Sequence, residues 1–229
     1  MKNHLLTCIL PIFVLTSCDL FKSEVPARTI SAEEYYFPSL SESFKKAKND
    51  YRKTTIEFPI NFPEPNDSIN DFVNQWFSQQ LKNLKEPVIY KMKNKNKDVI
   101  RFTLIGSWSN PVSYRIENKG GQIVGIYKKT DGHGGFSIGK ITDNKKKILS
   151  KNSWEKILHK IESIKFWNIQ THDPNVVLDG EEWILEAFIE GKYHFITRNC
   201  PDYYGGKEYA ELCKLIIEVL DIKDDVHKP

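Results

Sequence analysis

Between residues 88 and 149 the chain offers a series of β-like runs with no helical pattern between them. Val88-Ile-Tyr, Val99-Ile-Arg-Phe-Thr-Leu-Ile, Val112-Ser-Tyr-Arg-Ile and Ile123-Val-Gly-Ile-Tyr are rich in β-branched and aromatic residues, and Asn/Lys/Gly or Asn-Pro clusters separate them. This spacing predicts an antiparallel meander and argues against the βαβ alternation of a nucleotide-binding fold. Helical periodicity flanks the meander. One helix is expected over Ser41 to Lys53. A stronger one carries Ile69, Phe72, Val73, Trp76, Phe77, Leu81 and Leu84, with Ser68 and Asp71 as a weak capping box. Downstream, Asn152 is expected to cap a helix whose face is Trp154, Ile157, Leu158, Ile161 and Ile164, with Glu155 in the reciprocal position. Phe166-Trp167 ends that helix and a hairpin follows over residues 183 to 198. Gly206 introduces a last helix with Tyr209, Leu212, Cys213, Ile216 and Leu220 on one side. The expected class is therefore α+β: an antiparallel β-meander packed with several helices and closing on a helix–hairpin–helix. The 5 tryptophans and 13 phenylalanines are read as core.

The chain opens Met1-Lys2-Asn3-His4, runs through the apolar stretch Leu5 to Thr16 and reaches Leu15-Thr16-Ser17-Cys18. A positive start, an apolar core too short to span a bilayer and small residues at the junction describe a secretory signal. The Leu-Thr-Ser-Cys ending resembles the lipobox of bacterial lipoproteins, which implies that Cys18 is acylated and becomes the first mature residue. Localisation is then the cell envelope, facing the periplasm, and the membrane is contacted through the Cys18 anchor. Asp19 resembles the inner-membrane retention signal of enteric lipoproteins, and the choice of membrane stays open. The expected organisation is a signal peptide over 1–17, anchor and tether over 18–40, one α+β domain over 41–222 and a tail over 223–229. Without the signal, 212 residues remain, enough for one sizeable core.

The formal charge of +3 is scattered, which argues against a nucleic-acid partner. The runs Lys91 to Lys97 and Lys145-Lys146-Lys147 sit where turns are expected and read as solvated tips. Cys8 leaves with the signal and Cys18 takes the lipid, so Cys200 and Cys213 remain as a pair. In an oxidising envelope they can bridge; the alternative is two free thiols, since Cys213 lies on the apolar stripe of its helix.

Asp131-Gly-His-Gly-Gly-Phe-Ser-Ile-Gly-Lys140 mimics two motifs. Gly134 to Lys140 fits part of a P-loop, yet Ile141 stands where Ser or Thr should hold magnesium and no good helix start follows. Gly135-Phe-Ser-Ile-Gly139 matches G-x-S-x-G, with Asp173 or Asp179 and then His194 in hydrolase order behind Ser137. The strand–turn–helix context is missing, so an envelope serine hydrolase using Ser137, Asp179 and His194 is the alternative reading only. Histidines 133, 159, 172, 194 and 227 form no metal-ligand spacing, and neither a metal nor a cofactor is expected.

In the hairpin, a three-residue loop with Gly191 as a left-handed bulge collects Trp183, Leu185, Ala187, Tyr193 and Phe195 on one side. If one face is buried, this register is preferred, and it pairs Glu186 with His194 and places Arg198 on the same face. Such a row could be a general acid/base set, a ligand patch or a polar network that orders the fold. Asp179-Gly180, Trp183, Leu185-Glu186, Gly191, Tyr193-His194, Arg198 and Pro201, with Asp131-Gly132, Gly134-Gly135-Phe136 and Phe166-Trp167 upstream, resemble a group of uncharacterised bacterial lipoproteins and secreted proteins over roughly residues 100 to 220. No activity is attached to that group, so the resemblance supports the address and adds no catalytic role. Asn199-Cys200 stands where its pattern has Trp-Ser, which would make the bridge particular to this chain. The expectation is a non-catalytic binding protein, interaction or inhibitor-like, with an envelope protein as its partner.

Overall fold

A computed structural model describes residues 30–54, 64–134, 137–172, 179–203 and 206–222. The lipobox, Cys8, Cys18, Asp173, His227 and the tail from 223 lie outside the described residues. Six strands, β1 Lys97–Gly106, β2 Val112–Lys119, β3 Gln122–Thr130, β4 Ile141–Ile148, β5 Glu181–Ile189 and β6 Lys192–Asn199, form one antiparallel sheet in the order β4-β3-β2-β1-β5-β6. β1, β2 and β3 match three of the four expected meander runs, and β4, which no expected run covered, extends the meander in place of Val88-Ile-Tyr. The chain then crosses one face through α3, Lys151–Ser163, before β5 pairs with β1. The other helices are α1 Glu42–Thr54, α2 Asp71–Asn83 and α4 Lys207–Leu220.

Alternation along the strands divides the buried residues between two covered faces. On one, Ile100, Phe102, Leu104, Tyr114, Ile116, Tyr127, Leu185 and Ile196 meet Trp154, Ile157 and Ile161 of α3 and Leu212, Cys213, Ile216 and Leu220 of α4. On the other, Ile105, Ile184 and Phe195 pack under Phe77 and Leu81 of α2 together with Tyr36, Phe37 and Ile69. The molecule is three layers deep. Every one of these apolar side chains contributes about 1.5–3 kcal/mol through burial.

Several local expectations are corrected. The segment 30–40, read as tether, is built into the second layer: Phe37 is fully buried against Phe77 and Phe195, and Tyr36 donates from its backbone to Ser78 and from its hydroxyl to Glu86 O. Val88-Ile-Tyr is no strand; it crosses over the sheet, and Ile89 packs on Val99 and Phe188. Lys145 to Lys147 are not a turn but part of edge strand β4, where lysines discourage further strand addition. Asn70, not Ser68, caps α2 by accepting from Val73 N, and Ser150, not Asn152, caps α3 by accepting from Ser153 N. No described helix is long and apolar enough to cross a membrane.

Candidate functional site

The hairpin turns on two residues, Glu190 and Gly191, both at positive φ (52° and 81°), which is the type I′ geometry that matches strand twist. Glu186 therefore stands opposite Phe195, Ala187 opposite His194 and Trp183 opposite Arg198. The three-residue register is overturned, and Glu186 and His194 lie on opposite faces of the sheet. That register is preferred only where one face of the hairpin is buried. Because α2 covers the second face, a strand with mixed sides is buried on both.

On the α2 side Glu186 joins an ionic network that spans four strands. Arg101 of β1 pairs directly with Arg115 of β2 on one flank and with Glu186 of β5 on the other. Two guanidinium groups facing each other across strands repel. Glu86, delivered over them by the chain leaving α2, supplies the counter-charge. Its carboxylate accepts from Arg115 Nε at 2.7 Å and lies 3.6 Å from Arg101 Nη1 and 2.9 Å from Lys128 Nζ. Arg101 binds Glu186 through Nε at 2.7 Å and through Nη2, and donates from Nη1 to Pro87 O. Tyr193 OH donates to the other Glu186 oxygen at 3.1 Å, and Arg115 reaches Glu117. Burial pushes both carboxyls up. For Glu86 the three cations outweigh it and hold the acid below its ordinary range, whereas for fully buried Glu186 burial prevails over Arg101 and Tyr193. Burial, reinforced by the adjacent Glu186 charge, drives the Tyr193 phenol well up. Arg101, Glu86 and Glu186 side chains have no exposed surface, so the network is closed to a ligand approaching from solvent.

His194 works on the far side. Nδ1 meets the Asp67 carboxylate and Nε2 the Ile169 carbonyl at 2.8 Å, with Phe166 edge-on to the ring. Around it Asp67 N donates to Thr171 Oγ1, and Arg198 donates to the carbonyls of Gln170 and Thr171. His194 and Arg198 thus share a face as expected, but as a clasp that ties residues 66–71 and 166–172 to β6. Asp67 and the Glu86–Arg101–Arg115–Lys128 set carried no sequence motif.

Ser137 does not assemble a triad. Its hydroxyl accepts from His133 N at 3.1 Å, His194 has both nitrogens engaged elsewhere, and Asp179 sits in the turn before β5. Among the described residues no imidazole hydrogen-bonds that hydroxyl. Carbonyls of the 131–140 loop are gripped from outside: Gly134 O by Trp76 Nε1 (2.6 Å) and Gln80 Nε2 (3.2 Å), Ile138 O and Gly139 O by Asn83, and Gly132 O by Asn110. A Cβ on Gly132 would lie 2.5 Å from Ser137 O, so glycine here serves close packing. β4 follows the loop where a P-loop requires a helix. Cys200 and Cys213 are free: Cys200 Sγ accepts from Glu181 N at 3.3 Å, while Cys213 is buried under α4, its thiol pushed up by burial. The expected bridge is not formed. No described cluster of His, Cys, Asp or Glu could hold a metal.

The 106–111 segment, the described residues of the 131–140 loop and residues 200–203 all lie at one end of the sheet. Gly134 N donates to Ser109 O, which ties residues 131–134 to 106–111, and Ser107 N donates to Gly180 O just ahead of β5. Trp108 is 66% exposed and Tyr203 84% exposed at this end.

No protein-family model matches the chain, and no curated protein matches it. Among solved structures, a Bacillus halodurans protein provisionally described as an adenylate cyclase aligns at 10% identity over 67% of this chain and 88% of its own. Its TM-score is 0.20, a likeness too slight to carry an argument.

Proposed function

We propose that this chain is a lipid-anchored protein of the bacterial cell envelope that acts by binding, without catalysis, through the loop end of its sheet. The Leu15-Thr16-Ser17-Cys18 ending supports the address. The observation that carries the binding reading is the division of the polar groups. Glu86, Arg101, Glu186, His194 and Ser137 are each buried or engaged within the fold, and Trp108 and Tyr203 present large exposed aromatic surface at the loop end of the sheet. Exposed Trp and Tyr on a fixed scaffold bury much area on contact at low entropic cost, and such residues dominate binding energy in protein interfaces. An envelope protein is the partner this chemistry suits.

Intact-mass measurement of the mature protein tests the anchor, with acyl mass on a chain starting at Cys18 as the expected result. A chain starting elsewhere without that mass removes the lipoprotein reading. For binding, a photo-crosslinking residue at position 108 should capture one partner in cells, and Tyr203→Ala should abolish capture at unchanged melting temperature. Hydrolysis of an acyl ester that is lost in Ser137→Ala would replace binding with catalysis.

A further inference from the structure

The end of the sheet opposite the aromatic loops is where the described chain begins, and it is basic. Ile30 is buried, so at most the twelve peptide steps from Cys18 to Ile30 separate lipid from domain, roughly 40 Å when fully extended. Lys91 Nζ donates to Glu33 O at 2.7 Å, which sets the Lys91-Met-Lys-Asn-Lys-Asn-Lys97 loop beside this entry point. Lys95 lies over Gly191 of the β5–β6 turn, Lys192 after that turn rests its ammonium over the Trp167 ring at 4.6 Å, and Lys119 is exposed at the β2–β3 turn of the same end. Six lysines meet four carboxylates there. Of these, Lys97 pairs with Glu117, which Arg115 also holds, leaving five lysines against Glu33, Asp98 and Glu190, with Asp98 accepting from Glu190 N. Lys93 and Lys95 make no ion pair with a described residue. Nothing lies within 4 Å of a Cβ built on Gly120 or Gly121, so this end also presents an unobstructed turn.

We infer that this end of the sheet lies against anionic phospholipid headgroups, with Lys91, Lys93, Lys95 and Lys119 making the contact. The inference rests on the lipid anchor proposed above. A basic patch beside a lipid anchor adds electrostatic attraction to anionic headgroups. It also gives the domain an orientation. β1 is 10 residues long, so the loop end with Trp108 stands about 35 Å farther from the bilayer, facing outward.

Hydrogen–deuterium exchange on the mature protein in vesicles tests this. With phosphatidylglycerol-containing vesicles, amides of residues 91–97, 118–121 and 189–192 should exchange more slowly than with phosphatidylcholine alone, while 106–111 should not change. The triple variant Lys91→Gln, Lys93→Gln, Lys95→Gln should lose that difference while keeping its melting temperature. Equal exchange in both vesicles, or protection at 106–111 instead, overturns the inference. If the mature chain proves to carry no acyl group, the anchor fails separately. The patch is then read by co-sedimentation of that chain with the same two vesicles. Each lysine at an anionic surface is worth about 5-fold in partition, so the triple variant should bind roughly 100-fold more weakly. No preference for the anionic vesicles there also overturns it.

Discussion

Glu86 is the residue on which the buried network turns, and Glu86→Gln is the substitution that tests it. The variant keeps the shape and removes the counter-charge that Arg101, Arg115 and Lys128 share at 3.6, 2.7 and 2.9 Å. Arg101 and Arg115 then face each other across β1 and β2 with Glu186 and Glu117 at the flanks only. Removing one partner of a buried ion pair costs about 3–5 kcal/mol, because the charge left behind has lost both water and its mate. For a domain of this length that corresponds to a fall in melting temperature of roughly 6–20 °C, a large share of a total stability of about 5–15 kcal/mol. Denaturant titration should show a lower midpoint at unchanged slope. A midpoint indistinguishable from wild type would show that the three cations are solvated and the network is not closed.

The same variant carries a pH signature. The folded Glu86 carboxyl is held below its unfolded value, so its contribution is complete above the unfolded pKa and lost as pH falls through the folded one. The gap between wild type and Glu86→Gln should therefore narrow as pH drops from about 7 to about 3. Glu186 has the opposite sign. Its folded value is raised, so its contribution is present below the unfolded pKa and lost as pH rises through the folded one. That term is to first order common to both proteins. A gap that widens on acidification refutes the assignment of Glu86 as the charged keystone.

Glu186→Gln and His194→Asn should be additive within about 0.5 kcal/mol, since the two side chains sit on opposite faces and share no partner; a coupling near 1 kcal/mol would restore the three-residue register. In contrast, Glu186→Gln and Tyr193→Phe remove one hydrogen bond between them and should couple by about 1 kcal/mol. Gly191→Ala, at φ 81° beneath the Lys95 side chain, should destabilise by about 1–2 kcal/mol in chemical denaturation, and a neutral result would exclude the type I′ turn. A thiol reagent should label Cys200 in the native protein and Cys213 only after unfolding, and a non-reduced mass two hydrogens lower would establish the bridge instead.

Those parts of the fold with one buried side were legible. α3 and α4 each press a single apolar stripe on the sheet, and the 3.6 period finds both, with half-buried Leu158 at the margin of α3 and buried Ala210 of α4 the one residue it misses. β4 was not legible, because Ile141–Ile148 buries little on either face and leaves no hydrophobic pattern to find; it is a strand because β3 offers it a ladder. Val88-Ile-Tyr misled in the other direction. A short apolar run is buried equally well by crossing a sheet as by joining it.

The candidate network failed to announce itself for a related reason, and the failure shows what signal was present. Arg101, Arg115, Lys128 and Glu186 alternate with apolar residues along their strands, the pattern of a sheet with one wet face. Helix number argues otherwise. α3 and α4 fill one face, and the Phe77, Leu81 and Leu84 stripe of α2 needs an apolar partner of its own, which only the second face can provide. Once α2 is placed there, the strand charges beneath it are buried and must be neutralised within the fold. Glu186 and Glu117 serve Arg101 and Arg115 from the strands, leaving a further cation, Lys128, for a carboxylate delivered from the covering layer. Glu86, two residues after the α2 stripe ends at Leu84, is placed by chain connectivity to reach it.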